Sequence, residues 1–584
     1  WPMWRYDASR TATSPESLPR ALHLQWVREL PSARPAYREA RLQFDAGYEP
    51  IVLGNLIYLA SSRTDGVVAL DTETGEEKWS FFTEGPVRFA PAAWQDRVFF
   101  GSDDGHIYCV RAKSGELLWK FRAVPSQRKV LGNGRMIALW PVRGGTVVHK
   151  GKVYFAAGVW PLEGVFIYCL DGLTGEVVWR NEECSYLYGT QPHAAEALGG
   201  VTPQGYLVVA GEELIVPCGQ ALPARLNLKT GKLRSFELPR PGRQPGGWFA
   251  SVEARRGLVV MDATINRDLH EDKVYQGPGS PEVRSTITLN GKTHRFSDKW
   301  PSEVKAPVHT LFAANGKLFI VDQKARLYCF GPKQVDSPRR YELPAPKAGK
   351  RNNTAIAKSV KRILQFTPVR EGFVCIRGIG GFDAEAHDWL QAFQQQARFH
   401  LVVTDSNETL LDQLRRRQSL NRDHLDLLKD ENGSLDLPPY FASLIFSETP
   451  PTLEHLNCLR PYDGVGCFSI SEIEHEKLRT QLEASPSEGF AVTRENGWTV
   501  IRRGALPGAA NYRGGWSSPD ERVRAPVGVL WFDDALGHFK RSPQPWFVDG
   551  VMVSYPKDWM EKHRANKKPP YRLLPPVFSD VYTG

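Results

Sequence analysis

The 584-residue chain has no window of 18 apolar residues, so it carries no signal for a membrane-spanning helix. None of its eight cysteines forms a Cys-x-x-Cys pair, which removes the usual spacing of a zinc or dithiol site. No cluster interleaves aromatic with basic residues, and a net charge of +9 is mild at this length, so nucleic acid is not an expected partner. The basic runs at 415–417 and 562–568 read as a solvated helix face and a loop. No signal-peptide pattern opens the sequence. It begins Trp1-Pro2-Met3-Trp4 without an initiator Met, and the expectation is that a preceding stretch has been removed.

Turn formers, by contrast, are abundant. There are 51 Gly and 43 Pro beside 17 Trp, a mixture that suits an all-β repeat protein. Three segments align without gaps: 67–79 (VVALDTETGEEKW), 107–119 (IYCVRAKSGELLW) and 167–179 (IYCLDGLTGEVVW). A weaker copy covers 224–233 and a worn one 326–331. Gly75 and Gly115 are 40 residues apart, the period of a four-stranded propeller blade. Within a copy, apolar residues alternate as in a strand. The Asp-x-x-Thr-Gly turn follows, where Asp71 and Thr74 can bond local amides and Gly75 tolerates positive φ. The chain then returns through Trp79, whose ring supplies apolar surface between neighbouring blades. Cys109, Cys169 and Cys329 each follow a Tyr late in a strand and read as small core residues.

These segments resemble the repeat of quinoprotein-type β-propellers. That family includes pyrroloquinoline-quinone alcohol dehydrogenases and a non-enzymatic outer-membrane assembly lipoprotein. The resemblance covers residues 1–345 and implies roughly six to eight blades. It makes pyrroloquinoline quinone with calcium a possible cofactor. The dehydrogenases carry two adjacent cysteines beside the quinone, however. This sequence has no such pair, and no calcium-ligand set can be placed in it. A non-catalytic scaffold is therefore expected, with a quinone-dependent dehydrogenase as the alternative.

Gly115 and Gly175 are 60 residues apart, so about 20 residues are inserted between those copies. Loops carry function more often than scaffolds do, and Arg and Trp are favoured at binding hot spots. Arg128, Arg135, Trp140, Arg143, Trp160 and His193 are thus expected to line a ligand or partner surface, against the alternative of ordinary packing and salt bridges.

After a Pro-rich linker near 345, the pattern changes. Helical periodicity at 355–366, 384–396 and 408–417 alternates with strand runs at 372–376, 400–405 and 440–447, which predicts a doubly wound parallel sheet over 346–505. The first strand ends in Gly378-Ile379-Gly380-Gly381 and the second in Asp405. Such glycines admit a ligand close to the backbone, and such an acid can bind ribose hydroxyls. Asp405 can equally cap the following helix. With Leu459-Arg460-Pro461-Tyr462-Asp463-Gly464, the segment resembles class I S-adenosylmethionine methyltransferases. That resemblance implies S-adenosylmethionine as a cofactor held by Gly378, Gly380, Gly381 and Asp405. The motif departs from the family's: Ile376 stands where an acid is usual, and 447–451 reads Ser-Glu-Thr-Pro-Pro. A degenerate domain is expected, with an active methyltransferase as the alternative.

From about 506 the β pattern returns. Residues 525–531 echo 21–26, and 578–584 match the strand-and-turn half of a repeat. Further blades are expected to follow, on a removed segment or a second chain, the alternative being completion by the chain's own N-terminal strand. The whole reads as a mainly β protein, a propeller with an inserted α/β domain. Its expected setting is the periplasm or cell surface, with the cytoplasm as the alternative. No Ser-His-Asp set can be assigned from spacing.

Overall fold

The repeats fold because each turn satisfies its own backbone. The Asp71 carboxylate accepts the N–H groups of Glu73 (2.9 Å) and Thr74 (2.8 Å), and Gly75 N–H closes onto Asp71 O (2.9 Å). Asp171 and Asn227 do the same in their copies. The computed structural model describes residues 1–38, 43–190, 196–219, 221–237, 249–253, 257–261, 286–295, 301–343, 354–381, 386–417, 419–431, 433, 435–484, 489–513, 528–534, 544–555 and 575–584.

Two compact units emerge. One comprises Trp1–Gln127, Ile137–Leu269 and Lys273–Leu343. In it, residues 51–82, 92–122, 144–181 and 208–235 each form four antiparallel strands. The strands at 308–331 form a fifth such sheet, whose fourth strand is His23–Glu29 from the start of the chain, with Arg339–Tyr341 paired beyond it. Hairpins at 249–261 and 286–295 lie between the fourth and fifth sheets in sequence.

One indole contact repeats from sheet to sheet. Trp26, Trp79, Trp119 and Trp179 donate their indole N–H to Thr72 O (3.2 Å), Ala112 O (2.9 Å), Gly172 O (3.4 Å) and Leu228 O (3.1 Å). Each acceptor lies three residues before the turn glycine of the next sheet. The ring lies flat against that glycine: a Cβ on Gly75 would be 2.7 Å from Trp26, and one on Gly231 would be 2.3 Å from Trp179. The glycine is therefore required twice, by a φ near +75° and by the ring above it. This stacks successive sheets face to face around an axis lined by their first strands.

The other unit comprises Arg128–Met136 with the described residues of Pro344–Gly584. Its centre is a seven-stranded sheet: β1 (Glu371–Arg377), β2 (Arg398–Asp405), β3 (Leu425–Lys429), β4 (Ala442–Ser447), β5 (Val465–Phe468), β6 (Phe490–Glu495) and β7 (Trp498–Arg503). The strand order is β3-β2-β1-β4-β5-β7-β6. The first five run parallel, and β7 is antiparallel to both neighbours. Helices α1 (Thr354–Gln365), α2 (Ala386–Gln396) and α3 (Glu408–Arg415) cover the face carrying Val374, Ile376, Leu401, Val403 and Phe446.

Helices α4 (Leu453–Asn457) and α5 (Glu472–Glu483) cover part of the opposite face. There the connection 430–441 between β3 and β4 carries no helix among the described residues. Leu131 and Met136 join the apolar cluster on this face instead. They come from the excursion between the second and third propeller sheets, which pairs in parallel with Trp531–Phe532. A three-stranded sheet of Trp546–Val548, Val551–Ser554 and Val577–Asp580 follows in sequence. The indole of Trp531 donates to Val581 O (3.0 Å) and lies against Gly584, the same arrangement as Trp26 on Gly75. The strand at the start of the chain, His23–Glu29, is already paired on both edges, within the fifth propeller sheet.

Candidate functional site: the propeller axis and the glycine loop

Residues 1–12 touch the first strand of each of the five four-stranded sheets and of the hairpins at 249–261 and 286–295. Trp1 O accepts Val52 N–H (2.7 Å), and Pro2 O accepts Ala93 N–H (2.6 Å). Ala8 O accepts Val209 N–H (2.8 Å), Ser9 O accepts Val252 N–H (2.9 Å), and Ala12 O accepts Thr288 N–H (2.9 Å). Trp1 packs on Phe312 of the fifth four-stranded sheet. Arg10, wholly buried, ties in the third: its guanidinium donates to Thr146 O, Leu207 O and Trp4 O, each at 3.0 Å. Burial pulls its pKa down to about 10, so it remains charged at neutral pH.

Beside this segment runs a ladder of rings. Trp4 stacks on Tyr206 (4.1 Å), Tyr206 meets Phe89 edge-on (5.1 Å), Phe89 stacks on Phe44 (5.1 Å), and Phe44 meets Tyr37 (6.4 Å). Arg143 lies against Tyr37 and Phe44. It grips Asp103 with two bonds (3.2 and 3.0 Å), and Arg88 bridges Asp103 and Asp45 at 2.6 Å each. Burial opposes the Asp103 carboxylate, but Arg143 and Arg88 outweigh it and hold its pKa below the ordinary value.

Three of the six residues expected on the loop surface, Arg135, Trp140 and Arg143, are buried. Arg143 and Arg135 are fully buried, and each serves an internal ion pair. Arg135 donates to Asp426 (2.5 Å), whose other oxygen meets His400 (2.6 Å) and Met136 N–H (2.8 Å). Trp140 is buried and donates to Glu163 O (2.7 Å). Arg128 is half-buried, Trp160 is exposed, and His193 lies outside the described residues.

The glycine loop does meet Asp405. Gly378 has φ +68°, and its N–H bonds Thr404 O (2.8 Å). Gly380 N–H donates to one Asp405 oxygen (2.5 Å), while the other accepts Asn407 N–H (2.7 Å). Asn407 in turn caps α3 through Leu410 N–H (3.1 Å). The carboxylate that would meet ribose hydroxyls is thus bonded to the loop itself. Gly381 faces Glu448, whose pKa burial raises. At the same end of the sheet His455 accepts Thr452 N–H (3.0 Å); burial first, then Arg377, push its pKa down to about 4, so it is neutral. Sequence spacing gave no hint that Ser419 meets His387 (2.6 Å), which also contacts Asp388 (3.2 Å). With the paired Gln394 and Asn421, this contact ties α2 to the loop after α3.

Comparison with known proteins bears on the first unit. A family model described as "Outer membrane protein assembly factor BamB" matches residues 4–182. The match supports a PQQ-type β-propeller repeat over those residues. The dehydrogenase subunit of the quinone alcohol dehydrogenase of Gluconobacter oxydans (strain 621H) is 29% identical over 144 residues, covering 22% of this chain and 18% of that protein. Tetrathionate hydrolase of Acidithiobacillus ferrooxidans is 25% identical over 180 residues, 26% of this chain and 31% of that protein. The chain therefore spans less than a third of either relative. Among solved structures, the quinohemoprotein alcohol dehydrogenase from Comamonas testosteroni aligns with a TM-score of 0.32 and 18% identity, over 60% of this chain and 50% of that one. BamB from Moraxella catarrhalis aligns at 0.24 and 13%, over 54% and 99%.

Beside Trp1 and Trp4 the described residues leave no room for a quinone. The cavity bounded by Trp1, Trp4, Ala12 and Phe312 is about 10 Å³, scarcely room for one water. All eight cysteines are free and buried, with no two adjacent in sequence.

Proposed function

We propose that the protein is a non-catalytic propeller scaffold that binds a protein partner, with a degenerate methyltransferase-like α/β domain. One observation carries this reading: the axis is filled by the chain's own residues 1–12 and the Trp4–Tyr37 ring ladder. The match over residues 4–182 to an assembly factor of the outer membrane supports a periplasmic or cell-surface setting.

The test is reconstitution. Purified protein incubated with pyrroloquinoline quinone and calcium, then dialysed, should retain no quinone absorbance. Stoichiometric retention with alcohol oxidation would replace the scaffold with the dehydrogenase reading, which the 29% identical quinone alcohol dehydrogenase favours.

For the α/β domain, the order β3-β2-β1-β4-β5 places the glycine loop at the switch point between β1 and β4, where doubly wound sheets bind nucleoside ligands. The Gly380–Asp405 bond argues for degeneracy, because a ribose would have to displace it. Calorimetry with S-adenosylmethionine should show no saturable heat. Saturable binding abolished by Asp405→Ala would establish the domain as a working cofactor site.

A further inference from the structure

The third propeller sheet carries a hairpin outside its four strands. Leu187–Thr190 pairs with Glu196–Gly199, Tyr188 lying directly opposite Leu198. Its base is fixed to the sheet: Ser185 Oγ accepts Val165 N–H (2.6 Å) and donates to Val165 O (3.0 Å), and Val201 N–H bonds Cys184 O (2.9 Å). The turn Pro161–Glu163 adjoins it, a Cβ on Gly200 falling 2.9 Å from Pro161. Leu187 and Ala197 are half-buried. The large residues here point the other way. Leu162 and Tyr188 are each 72% exposed, Tyr186 58%, and Trp160 and Leu198 43% each. Apolar and aromatic side chains exposed together mark an interaction site.

The surrounding charge selects the partner. Near the patch in sequence stand Glu163, Glu182, Glu183 and Glu196, against Arg180, which pairs with Glu182 (2.8 Å). Glu183 and Glu196 are exposed beside the patch. Phosphates and anionic headgroups are repelled by such a rim, and cationic groups are steered to it. Tyr186 and Tyr188 sit two residues apart, and an extended segment with alternating side chains repeats at the same spacing, about 6.8 Å.

We infer that this face docks an extended basic protein segment whose aliphatic side chains alternate with Lys or Arg. The inference rests on the scaffold reading and names the chemistry of its partner. The probe is a fluorescein-labelled octapeptide of alternating Lys and Val, titrated with the full chain and followed by anisotropy. Saturable binding is expected, weakening as salt rises. Tyr188→Ser with Leu198→Ser should weaken it by ~10-fold or more. Glu183→Lys with Glu196→Lys should weaken it as well, and the matched Glu–Val octapeptide should not bind. All four positions are exposed, so the variants should keep the parent's melting temperature. Absence of saturation, equal binding of the Glu–Val peptide, or unchanged binding by the serine double variant would overturn the inference. None of these outcomes bears on quinone or methyl-donor binding, so the two readings fail separately.

Discussion

At the scale of the residue, the repeat is held by one indole and one glycine. Trp26 is wholly buried, spans two sheets and donates to Thr72 O. Trp26→Ala should cost about 3–5 kcal/mol, read by urea unfolding, because it leaves both a cavity and an unbonded carbonyl. Trp160→Ala, on an exposed ring, should stay within about 0.5 kcal/mol. Asp426 makes a pH-dependent contribution. Burial works against its charge, yet Arg135 and His400 outweigh burial and hold its pKa far below the ordinary value. A carboxylate with a lowered folded pKa stabilises fully above its unfolded pKa, about 3.9. That stability is lost progressively as pH falls from there toward the folded value. Unfolding measured between pH 6 and 3 should therefore show an acid-side decline that is shallower in Asp426→Asn. Each Trp meets the turn glycine of the next sheet, whereas the turn aspartates were legible in the sequence because their partners lie in the same short repeat. The partners of Arg135 and Arg143 were not: Asp426 is 291 residues from Arg135, and the exposed-loop reading took composition as a guide to direction.

At the scale of the element, the excursion at 129–138 stands in for a crossover helix. Parallel strands β3 and β4 are joined by 430–441, and the sheet face that a helix would cover is covered by Leu131 and Met136. The excursion is fixed there by Lys129 N–H to Asp436 O (2.8 Å) and by the Arg135–Asp426 pair. Arg135→Ala strands a buried carboxylate and should cost about 3–5 kcal/mol. Hydrogen exchange should then rise first in β3 and in 129–132, and not in the propeller sheets. The α/β elements themselves were readable: α1, β1, β2 and α3 begin within about two residues of where periodicity put them, since each buries one face and shows the matching repeat. The absent helix was not readable, because its substitute comes from a loop some 300 residues upstream.

At the scale of the molecule, residues 1–12 act as an internal belt across the propeller's first strands. Arg10 is its hub, one cation shared by three backbone carbonyls on three different stretches of chain. Arg10→Met should destabilise by about 3–5 kcal/mol, since those carbonyls lose their donor inside the protein. Limited proteolysis should then release the first residues before any blade opens. Pyrroloquinoline quinone should not substitute for the belt, and a rise in melting temperature on adding it would contradict the filled axis.

Local information sufficed for the blades, their turns and the alternating strands and helices. Apart from the fifth sheet, which takes His23–Glu29 from the start of the chain, these elements pair with neighbours in sequence, and their periods are written directly in the order of residues. Three things were decided only when the chain closed on itself. The first residues run through the axis, Asp405 turns to its own glycine loop, and the buried arginines point inward. All three are settled by where distant carbonyls and carboxylates come to lie, for a buried charge must find its partner wherever the fold brings one.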